Sequence, residues 1–334
     1  MVNELQTGHR HDVPMAWIKV LAIATLVSTV GLIVLGSAVR VTNSGMGCKG
    51  WPLCTGAQGS ISSFHPMMEE SHRLLASLVT ILIVALALCV RRNALATHLH
   101  GPSLVAVGVV ILQIVLGAVT VFANNAPFTV ALHLLTATMF LGVVSVVAVA
   151  AFLPPEMSWS LRRGPTRLAW TAVIGLYLVV ISGSVVVNAG AQSACASWPV
   201  CLHSPAQSSL LIVQMLHRSI VLVGSILVVV FMASILRAHR ASRAERTLSM
   251  TALGLLGVQI AVGAMSAIWS THSELADVHL ALASILWSCV VAVFALSARA
   301  VGDPSSAPLR QRVPPHHVDA STDDDMSTQR FPSA

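Results

Sequence analysis

Apolar runs divide this chain, and each is long enough to cross a bilayer. Eight of them lie at about residues 17–39, 69–90, 102–122, 129–152, 168–188, 210–236, 247–269 and 275–298. A hydrocarbon core of about 30 Å needs roughly 20 residues in helical form. Lipid offers backbone N–H and C=O groups no partner, so only helices and closed barrels span it. A barrel would show short alternating segments instead of these continuous runs. The chain is 55% hydrophobic and 10% charged, whereas soluble domains carry about 25% charged residues. The pattern predicts an all-α integral membrane protein with eight transmembrane helices.

The net charge of +6 invites a polyanion, but its placement argues otherwise. Arg91 and Arg92, then Arg162, Arg163 and Arg167, then Arg237, Arg240, Arg243 and Arg246, fall in alternate loops. Arg10, Lys19, Arg299, Arg310 and Arg312 flank the two ends, while the opposite loops hold only Arg40 and Lys49. Cytoplasmic loops carry such an excess of Lys and Arg. The reading places both termini in the cytoplasm, as an even number of spans requires, and excludes a nucleic-acid partner. The N-terminus carries no cleavable signal, and Glu4 and Asp12 make it unlike an acid-poor mitochondrial presequence. A bacterial plasma membrane is the simplest location.

An internal repeat organises the spans. Gly36-Ser37 recurs as Gly183-Ser184, 147 residues on, and the same offset carries Cys48, Trp51, Pro52 and Cys54 onto Cys195, Trp198, Pro199 and Cys201. His72-Arg73 recurs 145 residues on as His217-Arg218, and Gln113, Gly117 and His133-Leu134 recur 146 on as Gln259, Gly263 and His279-Leu280. Each half holds an even number of spans, so both enter from one side, related by a pseudo-twofold axis along the membrane normal. The expected organisation is a tail at 1–16, a four-helix bundle at 17–152, an inner linker at 153–167, a second bundle at 168–298, and a disordered polar tail at 299–334. The second span is read as opening after Pro66, a residue suited to a first helical turn.

Of the 14 histidines, His72, His133, His217 and His279 lie inside spans, on helices two, four, six and eight. At 1.5 Å rise per residue, each sits about 6–10 Å below the outer surface. A lone membrane histidine reads as a hydrogen-bonded core residue. Four at one depth, paired by a repeat, point to metal or haem ligation. Two imidazoles facing across an apolar bundle suit a haem iron ligated on both faces. Arg73 and Arg218 follow their histidines and suit either bidentate pairing with propionates or snorkelling to the interface. The remaining histidines fall in loops or tails and read as solvated.

Cys48 and Cys54 share one outer loop, and Cys195 and Cys201 another. Both loops face an oxidising compartment, where disulfides persist. Two intraloop disulfides are expected, with a redox-active dithiol as the alternative. Cys89 and Cys289 read as inert core thiols.

Glu69 precedes His72 by three residues and shares its helix face. The repeat places Gln214 at the matching position, so only the first half pairs an acid with its histidines. Glu69 is a candidate proton-trading group or a helix N-terminal carboxylate favoured by the macrodipole. Glu70 points about 100° away, towards solvent or headgroups.

These residues resemble the haem A synthases of the Cox15/CtaA family, over about residues 17–298. The likeness rests on Gly47-Cys48-Lys49-Gly50-Trp51-Pro52-Leu53-Cys54, on Glu69-x-x-His72-Arg73, and on His133, His217 and His279. It implies a haem b cofactor between His217 and His279 and the substrate haem O between His72 and His133. It implies Glu69 as the essential carboxylate, and oxidation of the C8 methyl of haem O to a formyl through hydroxylated intermediates; with both histidines bound the iron has no open site for O2, so water is the easier oxygen source. Haem A for terminal oxidase assembly is the implied product. An electron acceptor such as a quinone, and a haem O synthase as supplier, are the implied partners. The rival readings are a dihaem b-type cytochrome drawing electrons from quinol, and a parallel-repeat transporter. A cytochrome conduit usually stacks its haems at two depths, which the common level of these histidines does not match.

Overall fold

The computed structural model describes residues 13–48, 50–52, 54, 63–154, 157–159, 167–201, 206–269 and 273–301. Eight helices carry the apolar runs: α1 Met15–Val41, α2 Phe64–Arg91, α3 His100–Phe122, α4 Pro127–Ala151, α5 Arg167–Asn188, α6 Ser208–Arg237, α7 Arg243–Ile268 and α8 Ser273–Ser297. All eight are long and apolar enough to cross a membrane, α3 counted with the 3₁₀ turn Ala94–Leu99 that leads into it. Large apolar side chains such as Val27, Ile81, Ile111 and Leu222 face outward. A helix that is apolar all round belongs in lipid or in a large core.

The repeat is visible in how the odd helices end. Asn43 (φ 52°), after α1, and Gly190 (φ 68°), after α5, occupy one repeat position, and both adopt the left-handed conformation. The amide of Ser44 then closes back to Val39 O at 2.8 Å, and that of Ala191 to Val186 O at 2.9 Å. Glycine and asparagine are the residues that enter this region at least cost. On the opposite side, Ser242 and Glu245 form a capping box that opens α7. Arg246 reaches back to Leu236 O and Ala238 O at the end of α6, satisfying carbonyls that a helix terminus leaves open.

Within the first half α1 packs on α2 and α4, and α3 on α2 and α4; within the second, α5 packs on α6 and α8, and α7 on α6 and α8. The halves meet through α1, α4, α5 and α8. Trp287 of α8 donates its indole N–H to Thr138 O of α4 at 2.9 Å. A Cβ on Gly142 would stand 3.2 Å from that ring. Tyr177 of α5 donates to Leu135 O at 3.1 Å. Small residues let helices approach closely where the hydrophobic effect gives no contrast with lipid.

Three boundaries differ from the sequence reading. Helix α2 starts at Phe64, so Pro66 sits inside its first turn. The loop before α3 is wound as a 3₁₀ turn, anchored by Asn93, whose side chain accepts from Leu95 N at 2.8 Å. The polar tail is not irregular from its first residue, since Arg299–Val301 pairs antiparallel with Met157–Trp159 of the inner linker. The expected tails at 1–12 and 302–334 lie outside the described residues.

Candidate functional site

Each of the four intramembrane histidines lies against a glycine of the preceding helix. A Cβ built on Gly36 of α1 would be 2.9 Å from His72 Cε1, and one on Gly117 of α3 would be 3.4 Å from His133 Cε1. In the second half, Gly183 of α5 would meet His217 Cε1 at 3.3 Å, and Gly263 of α7 would meet His279 Cε1 at 2.8 Å. The rings are half-buried. His72 on α2 and His133 on α4 thus belong to one half of the chain, and His217 on α6 and His279 on α8 to the other.

The pairs differ in how their rings are held. Ser182 donates its hydroxyl to Val179 O at 2.9 Å and lies 2.8 Å from His217 Nδ1. With its proton so used, Ser182 Oγ accepts from Nδ1–H. That assigns the tautomer whose Nε2 lone pair is free. Gln259 Nε2 lies 3.2 Å from His279 Nε2. In the first half the position of Ser182 is filled by Leu35. There His72 Nδ1 and His133 Nδ1 are buried without a hydrogen-bond partner among the described residues, and so are Gln113 Oε1, Gln259 Oε1 and His279 Nδ1. Buried polar atoms are rarely left unpaired, so this cluster suits a group supplied from outside the chain. The free Nε2 that Ser182 leaves on His217 and the glycine-lined approaches to all four rings suit a haem.

Above each pair lies a loop closed by a disulfide, Cys48–Cys54 in the first half and Cys195–Cys201 in the second. Arg73 donates to Gly50 O at 2.9 Å, to Pro52 O at 3.3 Å, and to Glu69 Oε1. Arg218 donates to Ser197 O at 2.7 Å, Pro199 O at 3.0 Å and Cys195 O at 3.3 Å. The structure thus gives both arginines partners that the sequence reading did not weigh, the carbonyls of the disulfide loops. Cys89 and Cys289 are free and half-buried.

Glu69 is 4% exposed, and its Oε2 accepts from Cys48 N at 2.8 Å. Gln214 is 6% exposed but faces carbonyls, donating to Ala191 O at 2.8 Å and Gln192 O at 3.1 Å. The loop therefore offers a donor in the first half and acceptors in the second. Close approach of loop and helix also explains Gly47, whose Cβ would lie 2.6 Å from the backbone carbon of His65. Glu70 does not turn to solvent as expected. Its Oε2 is buried without a partner among the described residues, and a carboxylate oxygen lies within 4.8 Å of both sulfurs of the first disulfide.

Other histidines read as solvated prove to be structural. His65 Nδ1 lies 2.9 Å from Ser44 Oγ, His98 Nε2 is 3.1 Å from Ala150 O, and His100 Nε2 is 3.1 Å from Val90 O. His239 is exposed, and His9, His11, His203, His272, His316 and His317 lie outside the described residues. The sequence reading missed Asp277 of α8, which accepts from Ser37 of α1 at 2.5 Å and interacts electrostatically with Arg40. A lone acid within an apolar run was its signal.

Eight helices long and apolar enough to span a membrane, carrying histidines that recur with the repeat and loops closed by disulfides, define a multi-pass membrane protein. The sequence profile of the COX15-CtaA family, described as cytochrome oxidase assembly protein, matches residues 60–291, and the chain belongs to that family. It is similar to the protein named heme A synthase in Geobacillus thermodenitrificans, 28% identical over 88% of this chain and 99% of the relative. It is also similar to the heme A synthases of Alkalihalophilus pseudofirmus, at 27% over 81% and 95%, and of Staphylococcus aureus, at 25% over 86% and 96%.

Proposed function

We propose that this chain is a haem A synthase, a membrane oxidoreductase that converts haem O to haem A by oxidising a ring methyl to a formyl. The observation that carries the reading is Glu69. An acid accompanies one histidine pair, and an amide the other, on an otherwise repeated frame. Two identical haem sites would give no reason for that asymmetry. Family membership and relatives named for this activity support it.

His72 and His133 are assigned to the substrate haem O, and His217 and His279 to a resident haem b. The ring contacts support this order. Ser182 holds His217 through Nδ1 and leaves its Nε2 free for iron, as suits a permanent cofactor, whereas His72 and His133 make no hydrogen bond among the described residues, as suits a group that must enter and leave. The resident haem supplies one-electron transfer when bound. Turning a methyl and a water into a formyl releases protons and electrons in equal number. Glu69 is assigned to take protons there, and its contacts support the role: Arg73 compensates the carboxylate charge and Cys48 N–H fixes its orientation. Arg73 also ties the carbonyls of Gly50 and Pro52 in the disulfide loop to the helix that carries Glu69 and His72.

A quinone is proposed as the electron acceptor and a haem O synthase as supplier. The alternate basic loops support cytoplasmic termini, and the helix contacts within each half support bundles at 17–152 and 168–298. Pigment extracted from protein made in cells that supply haem O tests the function. Haem B together with haem O or A is expected, and Glu69→Gln should leave both haems bound while haem A disappears. Haem B alone, in wild-type protein, would point to a b-type cytochrome instead.

A further inference from the structure

We infer that Gly36, Gly117, Gly183 and Gly263 are positioning residues, one for each haem-ligating histidine, and that Gly36 and Gly263 set the orientation of their rings most tightly. The inference rests on the assignment of the four histidines to haem iron.

In all four contacts the nearest ring atom is Cε1, the carbon between the two nitrogens. A histidine that ligates through Nε2 is still free to turn about the metal–nitrogen axis, and a surface under Cε1 limits that turn. The four glycines lie on α1, α3, α5 and α7, opposite their histidines on α2, α4, α6 and α8. The same relation therefore recurs at every repeat position. Conformational freedom does not explain it, because none of the four has a positive φ and a helix-interior glycine is disfavoured by about 1 kcal/mol relative to alanine. Other helical glycines in the chain, Gly108, Gly254 and Gly257, have nothing within 4 Å of a built Cβ. Glycine is thus common here, but among the described residues a built Cβ meets a histidine ring only at these four.

The distances divide the set. At 2.8 and 2.9 Å, a methyl on Gly263 or Gly36 forces the ring to move. At 3.3 and 3.4 Å, on Gly183 or Gly117, a shift of a few tenths of an ångström suffices. Each half therefore holds one ligand firmly and one with slack, and the firm ones are not repeat equivalents. The substrate half fixes the ligand on α2, next to Glu69, and the cofactor half fixes the ligand on α8.

The test uses full-length protein, haem-loaded in cells that supply haem O. Haem B and haem O are quantified separately, the ferric low-spin EPR signal is recorded, and gel filtration checks folding. The largest g value of a bis-imidazole haem follows the angle between the ring planes, which a purely structural role would not move. Gly263→Ala is expected to retain haem B roughly tenfold more weakly, a size typical of overpacking, or to shift its g value. Gly36→Ala should do the same to haem O. Gly183→Ala and Gly117→Ala should keep their haems with a smaller shift, and Gly108→Ala and Gly254→Ala should change neither signal. Wild-type protein without haem would overturn the functional reading and this inference together. Haem-loaded wild type with Gly263→Ala unchanged, or with Gly254→Ala equally impaired, would overturn this inference alone.

Discussion

Ser37 of α1 donates its hydroxyl to Asp277 of α8 at 2.5 Å, joining the two halves of the chain beside both proposed haem sites. Gly36, under the His72 ring, is the residue before Ser37, and His279 follows Asp277 by two. Arg40, one turn along α1 from Ser37, shares the field of the same carboxylate. Repeat symmetry does not supply this contact, because Ala131 takes the place of Asp277 in the first half.

Removing Asp277 takes away a charged acceptor and strips Arg40 of its counter-charge. Losing Asp277 removes a hydrogen bond to a charged acceptor, worth about 1.5–3 kcal/mol, and with it the field that Arg40 shares, whereas losing the Ser37 hydroxyl removes that bond alone. Asp277→Ala should lower the melting temperature of the detergent-solubilised protein clearly more than Ser37→Ala. The double variant should melt close to Asp277→Ala, since the two residues share one bond. Equal, additive losses would show that the bridge does not couple the halves.

The carboxylate of Glu69 and the amide of Gln214 meet loops of opposite polarity. Gln214→Glu would set carboxylate oxygens against Ala191 O and Gln192 O, where Gln214 now donates. Leaving buried acceptors facing acceptors costs roughly 1–3 kcal/mol, so this variant should melt lower than wild type. Glu69→Gln keeps only one acceptor for Cys48 N–H and Arg73 together and removes the carboxylate that Arg73 pairs with, so it too should melt below wild type, and it should in addition lose turnover. Thermal unfolding and haem A yield, measured on the same preparations, separate the two effects.

Much of this was legible in the sequence because lipid leaves the chain few options. Length and hydropathy located all eight spans, and the repeat located the histidines, the disulfide cysteines and the Glu69/Gln214 difference. The partners of Arg73 and Arg218 were not legible. An arginine after a histidine is compatible with propionates, headgroups or loop carbonyls, and only the folded loop brings Gly50 O and Ser197 O within reach. The four glycines were seen as repeat matches, but a sequence offset does not say what a glycine faces. Asp277 and His98 were misjudged for one reason: their partners, Ser37 and Ala150 O, lie far away along the chain.

Arg73 and Arg218 each span two loop carbonyls with one guanidinium nitrogen while a second reaches elsewhere. Lysine keeps the charge but lacks the planar fork. Arg218→Lys should therefore speed hydrogen exchange of the described loop residues 195–201, and Arg73→Lys that of Gly50, Trp51 and Cys54. Each change should stay within its own half. Arg73→Lys should in addition slow haem A formation, because Arg73 also binds Glu69. Unchanged exchange in both loops would mean that the disulfides alone hold them.

Ser182 gives a signed prediction for the second half. By accepting from His217 Nδ1–H it makes the imidazole a more basic ligand, which favours ferric over ferrous iron. Ser182→Ala removes the acceptor, so the midpoint potential of the haem B signal should rise. A hydrogen bond worth ~1 kcal/mol corresponds to a few tens of millivolts, roughly 40, for a one-electron couple. Leu35→Ser, at the matching position of the first half, offers His72 the same acceptor. It should lower the potential of the haem in that half and slow its release, if a hydroxyl there reaches Nδ1 as Ser182 does. Redox titration resolving the two haems checks both signs, and a fall in potential for Ser182→Ala would remove Ser182 from the ligand's hydrogen-bond chain.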